Sequence, residues 1–424
     1  MHTANCILIS FIFYLSSLNL KAQDTNFVRQ AINQLASDNF HGRGYVNKGD
    51  AFAADYLKAF YKKEKLKKFK GNYFQTFTFP INTFPGKTIL INGSDTLQPG
   101  KDFLVAGGSA GIKGFYDIIR IDKEMLDDSI KVQEFKKTKF SDVFVVVDAQ
   151  GMKSEKEKKI MKSLASNPFN AKGIIMLDDG KLMWSLSQKV SAYTLIEVRS
   201  NAWNDSTKQI YVNIDQQFNP KHKSNNVIGY IKGMQQPDSF IVFTAHYDHL
   251  GRMGLEAVFN GANDNASGTA MLMDLIRYYK KNPPKYSIAF MAFAGEEVGL
   301  LGSKFYVNNP LFPISKIKVL INLDLMGFGE DGITIVNSED YPEDLALFRE
   351  INEKEKLLLP AINKRANAKN SDHYPFTEKN VKAFFIYTQG NSKYYHDIYD
   401  RAETVPLSKY NEIFKLITTY VATY

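Results

Sequence analysis

The chain has 424 residues, 44% of them hydrophobic and 23% charged, with a formal charge of +8. That length supports two to three domains, and the composition is globular, so a large core needs no covalent staple. The Lys residues are scattered; their densest run, Tyr61 to Lys70, reads as a solvated helix face with no nucleic-acid or membrane-binding motif beside it.

Residues 6–18 form an apolar segment as long as the core of a secretory signal, ending near Asn-Leu-Lys-Ala-Gln. Residues 1–22 are therefore expected to be a signal peptide cleaved after Ala22, leaving a secreted or periplasmic chain with no stable membrane insertion. Cys6, the only cysteine, falls inside this segment. A mature chain without thiols excludes cysteine proteases and Cys-ligated metals.

Segment 23–95 opens with helical spacing at Phe27, Ala31, Ile32 and Leu35, then at Ala53, Tyr56, Leu57 and Phe60. Strand-like runs follow at 73–79 and 88–92. Segment 96–218 has separate β-rich runs at 143–147, 173–177, 193–198 and 209–214, with a Lys/Glu-rich helix between the first two. It reads as an inserted, non-catalytic β-rich α+β domain, ending in a loop-like stretch at Phe218-Asn-Pro-Lys-His. Segment 219–424 alternates strands with helices, the pattern of an α/β fold with a largely parallel sheet. Runs 240–245, 287–294 and 318–323 are nearly all apolar, as buried central strands should be, and a helix over 266–281 ends at Asn282-Pro-Pro.

Chemistry gathers at the ends of those strands. Thr-Ala-His-Tyr-Asp-His-Leu-Gly places His246 after the first, Ala-Gly-Glu-Glu-Val-Gly places Glu296 and Glu297 after the second, and Asn-Leu-Asp-Leu-Met-Gly places Asp324 at the third. Ligand sites in open α/β sheets lie outside the carboxyl ends of the strands. Gly-Ala-Asn-Asp-Asn-Ala-Ser-Gly adds Asp264, and Tyr-Tyr-His-Asp-Ile-Tyr-Asp adds His396. Zinc accepts His nitrogen and carboxylate oxygen, and a catalytic ion keeps a position open. Five protein ligands exceed what one such ion uses, and they suit two ions sharing a carboxylate.

These segments resemble the zinc aminopeptidases of the M28 peptidase family, firmly over 222–424 and loosely over 25–95, where Ser37-Asp-Asn-Phe-His-Gly-Arg takes part. The resemblance implies a three-layer α/β/α sandwich around a mixed sheet, two Zn²⁺ per chain, and peptide substrates rather than nucleic acid. It implies that Asp264 bridges, that His246 and Asp324 complete one ion's shell, and that Glu297 and His396 complete the other's. Glu296 matches the general base. Asp248 matches the residue that accepts the other ring N–H of the ligand histidine. The bond after Asp264 is often cis in the family. Asp372, His373 and Tyr395 are expected near the substrate, and His249 in a structural or surface role. At the last ligand the family's two Thr are absent, while an Asp four residues on, Asp400, is kept. The segment 96–218 resembles a protease-associated domain.

Two other enzyme readings stay open on the same scaffold: a single-zinc, glutaminyl-cyclase-like enzyme, and a carboxypeptidase or dipeptidase. Cyclases usually carry Trp before the last His ligand, where this chain has Tyr395. A non-enzymatic binding module would be expected to lack a ligand or the base, and here all six positions are filled.

Overall fold

The computed structural model describes residues 25–148, 150–151 and 154–424. The expected signal segment, residues 1–22, lies outside the described residues.

Two eight-stranded sheets organise the chain. The first runs in the order Phe74–Thr83, Gln217–Ile231, Tyr286–Phe293, Gln236–His246, Ile317–Leu323, Ala383–Gln389, Gly332–Val336, Ile362–Arg365. Its four central strands, from Tyr286–Phe293 to Ala383–Gln389, are mutually parallel. Antiparallel pairs flank them on both sides, so the sheet is mixed. Period-two alternation sends successive residues to opposite faces. Ile241, Phe243 and Ala245 pack with helices Thr25–Leu35, Gly49–Lys63, Gly268–Lys281, Pro342–Lys354 and Tyr410–Ala422. Phe240 and Val242 pack with helices Leu301–Asn308 and Tyr374–Thr377 on the other face. Burial on both faces explains why these strands read as unbroken apolar runs.

The second sheet runs Asp95–Leu97, Thr88–Asn92, Gln209–Ile214, Ile112–Ile121, Val143–Asp148, Gly173–Asp178, Thr194–Arg199, Phe103–Val105. Strands from Ile112–Ile121 to Thr194–Arg199 are parallel. Val145 and Val147 face Leu126, Val132 and Leu164 of its helices. Helix Glu155–Ala165 is the expected Lys/Glu-rich one, opened by a capping box between Ser154 and Glu157. Phe144 and Val146 face the other way, into a cluster shared with Leu250, Met253, Ala257 and Phe259 of segment 219–424.

This sheet begins earlier than the boundary at 95. Strand Thr88–Asn92 forms a hairpin with Asp95–Leu97 around Gly93 and pairs with Gln209–Ile214. A cut at 95 would split that hairpin. The loop-like reading of 218–222 is also corrected, since these residues belong to strand Gln217–Ile231. Its first half pairs only with Phe74–Thr83 and is largely exposed, so no apolar run marks it. Pro220 sits where the register shifts, between the His222–Phe79 and Asn219–Ile81 pairs. A bulge is where a strand tolerates proline.

Candidate metal centre

His246 is the last residue of strand Gln236–His246, and Asp324 directly follows strand Ile317–Leu323. Glu296 and Glu297 follow strand Tyr286–Phe293, and His396 follows Ala383–Gln389. Four parallel strands thus point their carboxyl ends at one crevice. Asp264 arrives from the irregular turn Ala262–Ser267 that starts helix Gly268–Lys281, and its bond to Asn265 is cis. Two glycines allow this turn to fit. Gly261 has φ +59, and a Cβ there would lie 2.2 Å from the Asp264 carbonyl oxygen; one on Gly268 would lie 2.4 Å from that of Leu323.

The five candidate ligands converge. His246 Nε2 lies 3.4 Å from Asp264 Oδ1 and 3.3 Å from Asp324 Oδ1. His396 Nε2 lies 3.3 Å from Asp264 Oδ2 and 3.1 Å from Glu297 Oε2. The two oxygens of Asp264 therefore face different histidines. Donors about 2.0–2.1 Å from a tetrahedral zinc stand roughly 3.3 Å apart, close to these separations. His396 Nε2 is buried without a hydrogen-bond partner. The donor set of two imidazoles and three carboxylates fits zinc. Glu296 is close enough to form a cluster with His246 and Asp324, their donor atoms all within 4.8 Å of one another.

Buried neighbours hold each ligand. Asp400, four residues after His396, accepts the backbone N–H of Asn263 at 2.8 Å and of Asp264 at 3.0 Å. Ser371 Oγ donates to Asp324 Oδ2 at 2.9 Å and accepts from Asn322, whose own oxygen accepts from Thr244. Asp372 accepts from Ser303 Oγ at 2.5 Å, and His373 is fully buried near Phe385.

Asp248 behaves differently from the expectation. The Nδ1 N–H of His246 meets the backbone carbonyl of Asp248 at 3.1 Å, while its carboxylate stays 3.9 Å away. That carboxylate is taken by Tyr45 Oη at 2.8 Å and by the N–H groups of Glu296 and Glu297 at 3.2 and 3.4 Å. It positions the glutamate loop instead of the imidazole.

Of the structural or surface role expected for His249, burial excludes the surface and leaves the structural one, beside Glu297. It is fully buried, and its Nδ1 donates to Glu297 Oε1 at 2.7 Å. Its place three residues after His246, on the same strand-end loop, was the available signal. Arg43 was also passed over, although it closes the quoted Gly-Arg motif. It is completely buried, and its guanidinium donates to the carbonyls of Leu35, Tyr247, Asn260, Gly261 and Asp264. One rigid fork thereby ties the His246 loop to the Asp264 loop. Burial lowers its pKa to about 10, with Asp400, Asp264, Asp248 and Glu297 opposing.

The field separates the two adjacent glutamates. Burial pushes the Glu296 carboxyl well above the usual range, and the negative charges of Glu297, Asp372 and Asp324 add to it against the pull of His246. Burial acts the same way on Glu297, but His396 and His249 outweigh it and hold that carboxyl low. Burial also raises Asp372, to about 7. For His396, burial lowers the pKa, but Glu297 and Asp264 override it and raise it to about 11. The centre demands positive charge.

A cavity of about 240 Å³ opens on this centre, lined by His246, Asp264, Glu296 and Asp324 on one side and by Arg365, Phe385, Tyr387 and Tyr395 on the other. Tyr395 stacks on the His396 ring at a centroid distance of 4.0 Å. A larger cleft of about 690 Å³, beside Arg29 and Arg401, contains none of the candidate residues.

Residues 226–421 match the profile of peptidase family M28. The aminopeptidase YwaD of Bacillus subtilis is 30% identical over 208 residues, which is 47% of this chain and 44% of that one. A protein of Pyricularia oryzae described as a probable zinc metalloprotease is 38% identical over 107 residues, 25% of this chain and 21% of its own length. The chain thus aligns with less than half the length of these curated relatives. Two solved structures share the fold over nearly the whole chain. BSAP, a zinc aminopeptidase from Bacillus subtilis, superimposes with a TM-score of 0.68 at 20% identity, covering 94% of each chain. A peptidase M28 precursor from Shewanella amazonensis gives 0.66 at 18% identity, covering 94% of this chain and 96% of the other. The M28 resemblance and the α/β architecture read from the sequence are borne out.

Proposed function

We propose that the protein is a secreted or periplasmic di-zinc aminopeptidase that removes N-terminal residues from peptides. The observation that carries this reading is Asp264, whose two carboxylate oxygens each lie against a different histidine. His246 and Asp324 would hold one ion, Glu297 and His396 the other, and Asp264 would bridge. Bound zinc supplies Lewis-acid chemistry, acidifying water and polarising the scissile carbonyl.

Glu296 lines the cavity without being one of the five ligands. We assign it the proton transfer, from the attacking water and back to the leaving amine. Asp248 grips the main chain of Glu296 and Glu297, keeping the base and its neighbouring ligand in register. Residues 88–214 form a separate sheet beside this catalytic segment, and we assign them to the inserted domain. Among the described residues no helix is long and apolar enough to cross a membrane.

A panel of aminoacyl-anilides, with N-acetylated controls and an N-terminal Gln peptide, tests the reading. Release of anilide from free but not acetylated substrates is expected. Cyclisation of the Gln peptide without anilide release would favour the single-zinc cyclase. Arg365, the one Arg or Lys among the residues lining the cavity, favours a second reading in which a substrate carboxylate is held there, as in a carboxypeptidase or dipeptidase. Loss of turnover on C-terminal amidation of dipeptide substrates would select it.

A further inference from the structure

The segment from Lys181 to Gln188 leaves the second sheet after strand Gly173–Asp178 and crosses to the catalytic segment before strand Thr194–Arg199 returns. Trp184 anchors it. Its indole is 2% exposed, donates Nε1–H to the Val105 carbonyl at 2.8 Å, and stacks on Phe259 at 4.7 Å. From that anchor the segment reaches the two loops carrying Glu297 and His396. The Trp184 carbonyl accepts the Nδ1 N–H of His396 at 2.9 Å, and the Trp184 N–H donates to the His396 carbonyl at 3.1 Å. Lys181 Nζ donates to the Tyr395 carbonyl at 2.6 Å. Gln188 Nε2 donates to the carbonyl of Val298, the residue after Glu297, at 2.7 Å.

The other pair of ligands is held from within the catalytic segment. His246 Nδ1 meets Asp248, and its carbonyl accepts from Thr269. Asp324 accepts from Ser371. Among the described residues, no hydrogen bond links Lys181–Gln188 to either.

We infer that the Lys181–Gln188 segment is a strap that makes the Glu297/His396 metal position depend on the second sheet, while the His246/Asp324 position does not. The physical reason is tautomer control. An imidazole binds a metal through Nε2 only with its proton on Nδ1, and the Trp184 carbonyl fixes that proton. The Gln188 and Lys181 bonds set the positions of the two loops relative to each other. The inference rests on the two-zinc reading.

The test is zinc competition against a graded series of chelators, on the whole protein, two disrupting variants and one conservative control. One is the double variant Lys181→Ala/Gln188→Ala, which removes the two side-chain donors. The other is Trp184→Phe, which keeps a stacking ring but loses the bond to Val105. In both, one ion is expected to bind as in the parent, and the other at least about 10-fold more weakly. Lys181→Arg with Gln188 intact should bind like the parent, because the donor is retained. Unfolding of the zinc-free proteins should be similar for the parent and the double variant. Equal weakening of both ions, or no change in either, would overturn the inference while leaving two zinc sites standing. A parent that takes up one ion would instead sink the two-zinc reading, and the strap's selective role with it.

Discussion

His249 Nδ1 donates to Glu297 Oε1 at 2.7 Å, while Glu297 Oε2 faces His396 Nε2 at 3.1 Å. One carboxylate is thus divided between the His249 ring and a proposed metal position. His249→Ala should free Oε1 to rotate and weaken one zinc by about 10- to 100-fold, the range for losing a partner of a metal ligand. His249→Asn carries an N–H close to the place of Nδ1 and should recover much of that loss. Zinc titration with a chromogenic chelator reads both.

Glu296→Gln and Glu297→Gln separate base from ligand. The first keeps size and most hydrogen bonding, so zinc content and fold should survive while kcat falls by at least about 10²–10⁴-fold. KM should change little. The second should lose zinc from one position along with activity. The reverse pattern would exchange the two roles, which the proximity of Glu296 to His246 and Asp324 makes a real comparison.

On the two-zinc reading Asp264→Ala should abolish both ions, because each histidine lies against one oxygen of this carboxylate. Elemental analysis of the purified variant checks it. One ion retained in an active variant would refute the bridge.

Arg43→Met removes the guanidinium from five buried carbonyls, of which Gly261 keeps the Ala266 N–H. An unsatisfied buried acceptor costs on the order of 1–3 kcal/mol, and a disrupted buried network often exceeds about 3 kcal/mol in all. The urea midpoint should fall clearly. Arg43→Lys should recover little, because an ammonium cannot reach carbonyls spread across a planar fork.

Zinc removal should destabilise the fold. A ligand at 1,000 times its dissociation constant contributes about 4 kcal/mol. Chelation should therefore lower Tm by several degrees, and zinc should restore it.

The meeting of His246, Glu297 and Asp324 was legible in the chain because these residues stand at or after the ends of apolar strands. Apolar runs fix the strands, and a polar residue at the end of each stands out. The strand over 217–231 was not legible, because its first half is exposed on a two-stranded ribbon and carries no hydrophobic period. The roles of Trp184 and Arg43 were hidden for another reason. Trp184 holds His396 through its backbone carbonyl, which every residue type possesses. Arg43 acts on carbonyls more than 200 positions away, and no local pattern encodes such a partner. Asp248 shows a milder case: the right residue was singled out, but its main chain and carboxylate divide the work differently.

The ends of the four parallel strands meet only when the whole sheet is assembled, and His396 lies 150 residues after His246. During synthesis the chain must therefore emerge through His396 before the centre exists. A nascent or half-folded chain holds His246 and Asp264 but lacks the partners that face them. On the proposed two-zinc reading, tight zinc uptake is then a late event in folding and a measure of its completeness.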